Sequence, residues 1–449
     1  MKGEALTARL AGEMESLRLG LAQACAANPH ARTLPVWQAL LMMGDQAFPA
    51  LEERLSLAPG LAYLTIDTTG VCDLTCRGMC YYHPDIDTRR APATRPAFES
   101  VIQEAHRELR MRNLVFAGKE PLRNAELFFA LARYAAGLPG RDFSIGLISN
   151  GRGMTKHWAR LDALVAEGGL SFLDISLDSG ISEQHDAIRG LPGTFSAARA
   201  ALERAHRDWP ALRLGTASVL RADNAQGLLK LVRDFAPFNR NFFFTPIQPP
   251  PFTDTPALGW PVIRTFLLEL RHMLATELRG QCVEVMVSLL GLYIGDAARD
   301  GLFAWNQMIE DDQGQCFVEQ EVGGNRLQLH AQVIPETGWR IARITYTGAY
   351  LPNTHFLQVP DPDRFSVGNI QDDTLSMLYR RALASSGILA RMFGSRCTHA
   401  CRGRPCWGHC FGGLAAAEHS FVGGAPLNAQ PSLCLKSESD FIDCKDRRE

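Results

Sequence analysis

Three cysteines within nine residues, Cys72, Cys76 and Cys80, follow directly on the β-rich run Ala62–Thr68. Four more, Cys397, Cys401, Cys406 and Cys410, crowd together far downstream, with Cys434 and Cys444 after them. Of the 12 cysteines only Cys25, Cys282 and Cys316 stand alone. Disulfide frameworks belong to short secreted chains, whereas tight thiol clusters in a large protein of a reducing compartment hold metal. The rest of the sequence fits such a compartment. The N-terminus carries Glu4, Glu13 and Glu15 and has no apolar stretch of the kind a secretory signal needs. The longest apolar run, Met286 to Ile294, is about half the length of a membrane-spanning helix. A cytoplasmic location and no membrane partner are therefore expected. With 46 Lys+Arg against 48 Asp+Glu the net charge is −2, so binding to nucleic acid through bulk charge is not expected.

At 449 residues, 46% of them hydrophobic, the chain has enough apolar material for two or three domains or one large barrel with additions. Residues 1–58 show helical periodicity at Leu6, Leu10, Met14 and Leu17 and again at Val36, Leu40 and Leu41, ending at Pro59-Gly60. A strand–helix rhythm follows. Strands are expected at Ala62–Thr68, Leu114–Ala117, Phe143–Ile148, Phe172–Leu177, Leu212–Val219 and Phe242–Ile247, with helices near 98–111, 125–137, 155–167, 195–208 and 225–235. Such alternation makes right-handed βαβ units and a parallel sheet, either a partial barrel or a doubly wound sheet. In both, chemistry gathers at the carboxyl edge of the strands. The expected division is an N-terminal helical segment (1–58), the strand–helix unit (59–260), a helical connector (261–315) and a cysteine-rich module (316–449).

Three thiolates can grip an iron–sulfur cube and leave one iron open, whereas structural zinc prefers four closed ligands, with His83 the available fourth. The segment Thr68–Tyr82 resembles the radical S-adenosylmethionine (SAM) superfamily, whose usual motif is C-x3-C-x2-C after the first barrel strand. Here the spacing is C-x3-C-x3-C, with Gly78 the natural extra residue because it tolerates an unusual turn. The resemblance implies that Met79 packs beside adenine. Asn113–Leu122 resembles the second-strand segment ending in Gly-Gly-Glu-Pro: Gly118 and Glu120 match, and Lys119 replaces the second glycine. Ser149 and Asn150 resemble the third-strand end. Ser176 and Asp178, followed by Arg189, resemble the fourth-strand segment, which places Ser176 at the ribose and Arg189 at the methionine carboxylate. The fold implied is a partial (β/α)6 TIM-like barrel over about residues 60–255.

The downstream cysteines resemble the SPASM extension of that superfamily. The resemblance assigns Cys397, Cys401, Cys406 and Cys434 to one auxiliary [4Fe–4S] cluster. Cys410 would reach to a second, for which Cys316 is available and Cys282 or His355 conceivable, because Asn353 stands where a cysteine is expected. A zinc ribbon is the structural alternative for 397–434, and Cys444 has no assigned place. By resemblance, the cofactors are a SAM-binding [4Fe–4S] cluster, SAM, and one or two auxiliary clusters, with a donor such as flavodoxin or ferredoxin supplying electrons. The implied activity is reductive cleavage of SAM to a 5′-deoxyadenosyl radical that takes a hydrogen atom from the substrate. The leading expectation is oxidation or crosslinking of a peptide or protein. A small-molecule oxidoreductase or epimerase is the alternative, and a zinc-stabilised binding protein without catalysis is the remote one.

Overall fold

The computed structural model describes residues 60–383, apart from 77, 81, 248–254, 256–257, 291–292, 294–295, 299, 305–306, 311–315, 333–340, 352–353, 355–356 and 358–360. Expectations placed on 1–58, on His355 and on Cys397, Cys401, Cys406, Cys410, Cys434 and Cys444 lie outside the described residues. The first unit alternates as its pattern dictates: β1 (Tyr63–Asp67), α1 (Arg95–Arg107), β2 (Asn113–Ala117), α2 (Ala125–Ala136), β3 (Ser144–Ser149), α3 (Trp158–Ala166) and β4 (Phe172–Ser176). Two helices then come in succession, α4 (Ser182–Arg189) and α5 (Thr194–Asp208), before β5 (Arg213–Leu220), α6 (Ala225–Phe235), β6 (Asn241–Pro246) and α7 (Trp260–Ala275). The six expected strands are all present, with ends shifted by a residue or two.

Helix α4 has no counterpart in the sequence expectation. Its eight residues carry few apolar side chains, so no stripe announces it, and Gly190 in the left-handed region ends it after barely two turns.

Strands continue beyond the barrel proper: β7 (Glu284–Leu290), β8 (Met308–Glu310), β9 (Cys316–Val322), β10 (Asn325–Gln332), β11 (Ile341–Ile344) and β12 (Tyr350–Leu351), with α8 (Leu375–Leu383) after them. All twelve strands form one sheet in the order β12-β11-β1-β2-β3-β4-β5-β6-β7-β10-β9-β8. From β11 through β10 in that order every pairing is parallel. The expected connector thus contains two strands, and the start of the cysteine-rich segment supplies four more to the same sheet. The β9–β10 hairpin turns on Gly323-Gly324, both at positive φ, the chemistry a two-residue hairpin loop requires.

Side chains sort to the two faces with period two. Leu64, Ile66, Leu114, Phe116, Ile145, Leu147, Leu173 and Ile175 point to the helices, where Phe98, Phe128, Leu161, Leu202, Leu231 and Phe266 complete one continuous core. The opposite parity, Val115, Ala117 and Phe172 with Tyr63 and Ile148, forms a separate small cluster on the inner face. Gly146 belongs to that face: a Cβ there would lie 1.9 Å from the Phe172 ring, so the ring occupies the space a side chain would need. The floor is packed, which leaves the carboxyl ends of the strands as the open part of the barrel.

Candidate functional site

Strand β1 delivers Asp67, and the loop after it carries Cys72, Cys76 and Cys80, all half-buried free thiols. Burial pushes the Cys72 thiol up to about 12, reinforced by Glu120, Cys76 and Asp73 nearby. Cys76 is raised mainly by burial, with Cys80 adding to it. The three thiols lie on one loop at the end of β1. Hydrogen-bond donors already face two of them: Leu74 N–H lies 3.4 Å from Cys72 Sγ, Asn150 Nδ2 3.9 Å from the same sulfur, and Arg189 Nη1 3.7 Å from Cys76 Sγ. Donors of this kind surround thiolates that ligate iron–sulfur clusters. Among the described residues no three His, Cys, Asp or Glu close around a single metal ion. His83, the fourth ligand a zinc site would need, accepts the Asp85 N–H at 3.1 Å. Three thiols on one loop, two of them facing N–H donors, are the donor set an iron–sulfur cluster takes.

Gly78, the extra residue of the loop, has φ +65, and a Cβ on it would fall 2.0 Å from Thr255 Oγ1. Only glycine suits that position. Its neighbour Met79 is buried in the main core.

The ends of β2 and β3 lock onto this loop. Glu120 is buried; its Oε1 accepts from Ser149 Oγ at 2.9 Å and Leu122 N at 3.3 Å, and its Oε2 accepts from Asn150 N at 2.8 Å. Asn150 Nδ2 donates to Asp73 Oδ1 at 2.8 Å, and Arg152 holds the other Asp73 oxygen at 3.0 Å. Gly118, at φ +114, lets the chain pass Asp67, whose Oδ1 would be 2.9 Å from a Cβ there. Lys119 lies over the Tyr82 ring, 5.6 Å from its centre. From β4, Ser176 is half-buried opposite Ala217 of β5. Asp178 is fully buried and its Oδ2 lies 2.6 Å from Arg189 Nε. The expected site residues of the first motif and of β2 to β4 therefore share the carboxyl edge, and Cys316, expected at a second cluster, opens β9.

The sequence reading missed a second layer. Asp67, Tyr82 and Arg343 form a buried triad: Arg343 Nη2 donates to Asp67 Oδ1 and to Tyr82 Oη, both at 2.7 Å, Arg343 Nε donates to Asp67 Oδ2 at 3.1 Å, and Tyr82 Oη donates to Asp67 Oδ2 at 2.7 Å. Arg343 in the otherwise apolar strand Ile341–Ile344 was the available signal, since an arginine buried in a strand needs a partner.

Burial raises the Glu120 carboxyl from 4.5 to about 7, against three hydrogen bonds that favour its charged form. Between these values the folded chain binds more protons than the unfolded chain. This contribution to stability is present below pH 4.5 and is lost as pH rises toward 7. Urea midpoints measured across that window should fall with rising pH, and Glu120→Gln should flatten the slope. An unchanged slope would mean that Glu120 keeps an ordinary pKa.

No family model matches the chain. Native anSMEcpe with bound AdoMet and Cp18Cys peptide aligns with a TM-score of 0.54 at 18% identity, over 86% of this chain and 97% of that one. A polyhistidine-tagged anSMEcpe with bound AdoMet gives 0.55 at 18%, over 87% and 98%. The AdoMet-dependent heme synthase of Oleidesulfovibrio alaskensis is 28% identical over 152 residues, or 32% of this chain. The chain shares the fold of those anSMEcpe structures. It spans 35% of the length of that curated relative. Among the described residues, no helix is long and apolar enough to cross a membrane.

Proposed function

We propose that the chain is a radical SAM enzyme in which Cys72, Cys76 and Cys80 hold a [4Fe–4S] cluster with one open iron. The carrying observation is that the three thiols lie on one loop whose Cys72 sulfur meets Asn150 of the buried Glu120–Ser149–Asn150–Asp73 network at one edge of the barrel. When bound, the cluster and SAM supply an electron and a carbon-centred radical able to take hydrogen from an unactivated carbon. The chain's own residues bind, orient and exclude water. Asn150 and Leu74 present N–H donors to the Cys72 sulfur. Gly118, Glu120, Ser149, Asn150, Ser176, Asp178 and Arg189 line the place for SAM, with Met79 as the residue beside adenine. The packed inner face around Phe172 closes the barrel floor to water.

Peptide or protein oxidation is the substrate reading, supported by the peptide bound in the anSMEcpe structure. A reductant such as flavodoxin or ferredoxin would supply electrons, and auxiliary clusters would be held by Cys397, Cys401, Cys406, Cys410, Cys434 and Cys316. A small-molecule substrate is the second reading, favoured by the name of the curated relative. Anaerobically purified protein should contain iron and sulfide and, with dithionite and SAM, release 5′-deoxyadenosine. With the right peptide, mass spectrometry should show loss of two hydrogens. Turnover of a small metabolite with every peptide inert would select the second reading. Stoichiometric zinc without iron would reject both.

A further inference from the structure

Given that the three thiols hold an iron–sulfur cluster, as just proposed, we propose that Arg189, clamped by Asp178, is a positioning residue that donates a charged hydrogen bond to the Cys76 sulfur and raises the cluster's reduction potential. The guanidinium is nearly fully buried, with Nη1 3.7 Å from Cys76 Sγ and Nε 2.6 Å from Asp178 Oδ2. Asp178 cannot drift. Its Oδ1 accepts from Val219 N at 2.9 Å, its carbonyl accepts from Asn224 Nδ2 at 2.8 Å, and its own N–H donates to His185 Nδ1 at 3.1 Å.

A second feature brings the helix end to the same place. Gly190 caps α4 at φ +75, and a Cβ on it would come within 2.5 Å of Thr75 Oγ1 and 2.8 Å of the Thr75 carbonyl oxygen. The glycine lets α4 press its last turn against the residue before Cys76, and Arg189 is the side chain delivered there.

Arginine is charged at every accessible pH and lacks any acceptor, so toward a thiolate it acts only as a cationic donor. Reduction adds negative charge to a cluster, and a fixed positive donor on a ligand sulfur favours that state. Asp178 opposes this with its own charge, but the group that faces the Cys76 sulfur is the guanidinium, with Nη1 at 3.7 Å. At Cys72 the side-chain donor found among the described residues is the neutral Asn150, and Arg152 nearby is taken up by Asp73. The cluster would therefore be held unevenly, with its cationic side at Cys76.

An EPR-monitored redox titration of the SAM-free holoenzyme tests this, with iron content and SAM affinity measured alongside. Arg189→Gln should shift the midpoint downward by about tenfold in the reduction equilibrium, ~59 mV for one electron. Arg189→Lys, which keeps the charge on a shorter single-point donor, should fall between. Wild-type potentials in both variants with weakened SAM binding would mean that Arg189 serves only the SAM carboxylate, and would overturn the proposal. Should Arg189→Gln fail to assemble its cluster, the lysine variant decides by the same criterion. Wild-type protein without iron would overturn the cluster reading itself, which the iron count shows before any potential is measured.

Discussion

Cys76→Ala is expected to drop 5′-deoxyadenosine formation to the no-enzyme background and to remove the iron of one cluster, leaving the absorbance of the C-terminal cysteine module largely intact. Cys76 is the middle thiol of the three; Arg189 faces its sulfur, and Gly190 at the end of α4 packs against the preceding Thr75. Its loss leaves two sulfurs, and a cube with two open irons has no stable seat in a loop built for three. Alanine is smaller than cysteine at a half-buried position, so the fold itself should lose little. Circular dichroism should therefore match the wild type while iron per chain falls by one cluster. Retained 5′-deoxyadenosine formation would remove Cys76 from the ligand set. Equal loss of both absorbance signals would instead point to one folding metal shared between the two ends of the chain.

The parts of this arrangement that were legible in the sequence are those carried by local patterns. Short β-rich runs ending in turn residues gave the six barrel strands, and cysteine spacing after the first of them placed the thiols at the carboxyl edge. Gly78 was read as the residue absorbing an odd turn, and its φ of +65 agrees. Contacts between distant segments were not legible. Nothing near position 189 in the sequence indicates that Arg189 meets Cys76, because the contact depends on Gly190 fitting against Thr75 across the fold. Strand β7 reads as an apolar run because Met286 stands among Val285, Val287 and Leu289, although only these last three are fully buried. The β9–β10 hairpin does alternate, with Leu327 and Leu329 buried, but it opens a segment in which cysteines, glycines and turn residues dominate the pattern. Tyr346 illustrates the same limit: its ring packs on Gly70 at the entrance to the cysteine loop, and its hydroxyl donates to the Asp87 carbonyl at 2.6 Å.

Arg343→Met should be the most destabilising single change at the site, costing ~3–5 kcal/mol, because it leaves Asp67 buried with its charge uncompensated. Arg343 and Asp67 are 4% and 1% exposed, so water cannot take over the role of the guanidinium. The pair joins β11 to β1, strands far apart in the chain, and Tyr82 ties the same carboxylate to the chain two residues beyond Cys80. Loosening it should therefore reach the thiols, and iron loading should fall together with the thermal midpoint. The double change Asp67→Leu with Arg343→Met removes both charges and should recover most of the stability, less about 1 kcal/mol for each hydrogen bond that Tyr82 loses with them. Iron loading should recover in parallel, since the loop anchor is then apolar packing rather than a broken ion pair. If the double variant is no more stable than Arg343→Met alone, the cost lies in lost packing around the arginine stem, and the triad is not what fixes the cysteine loop against β1.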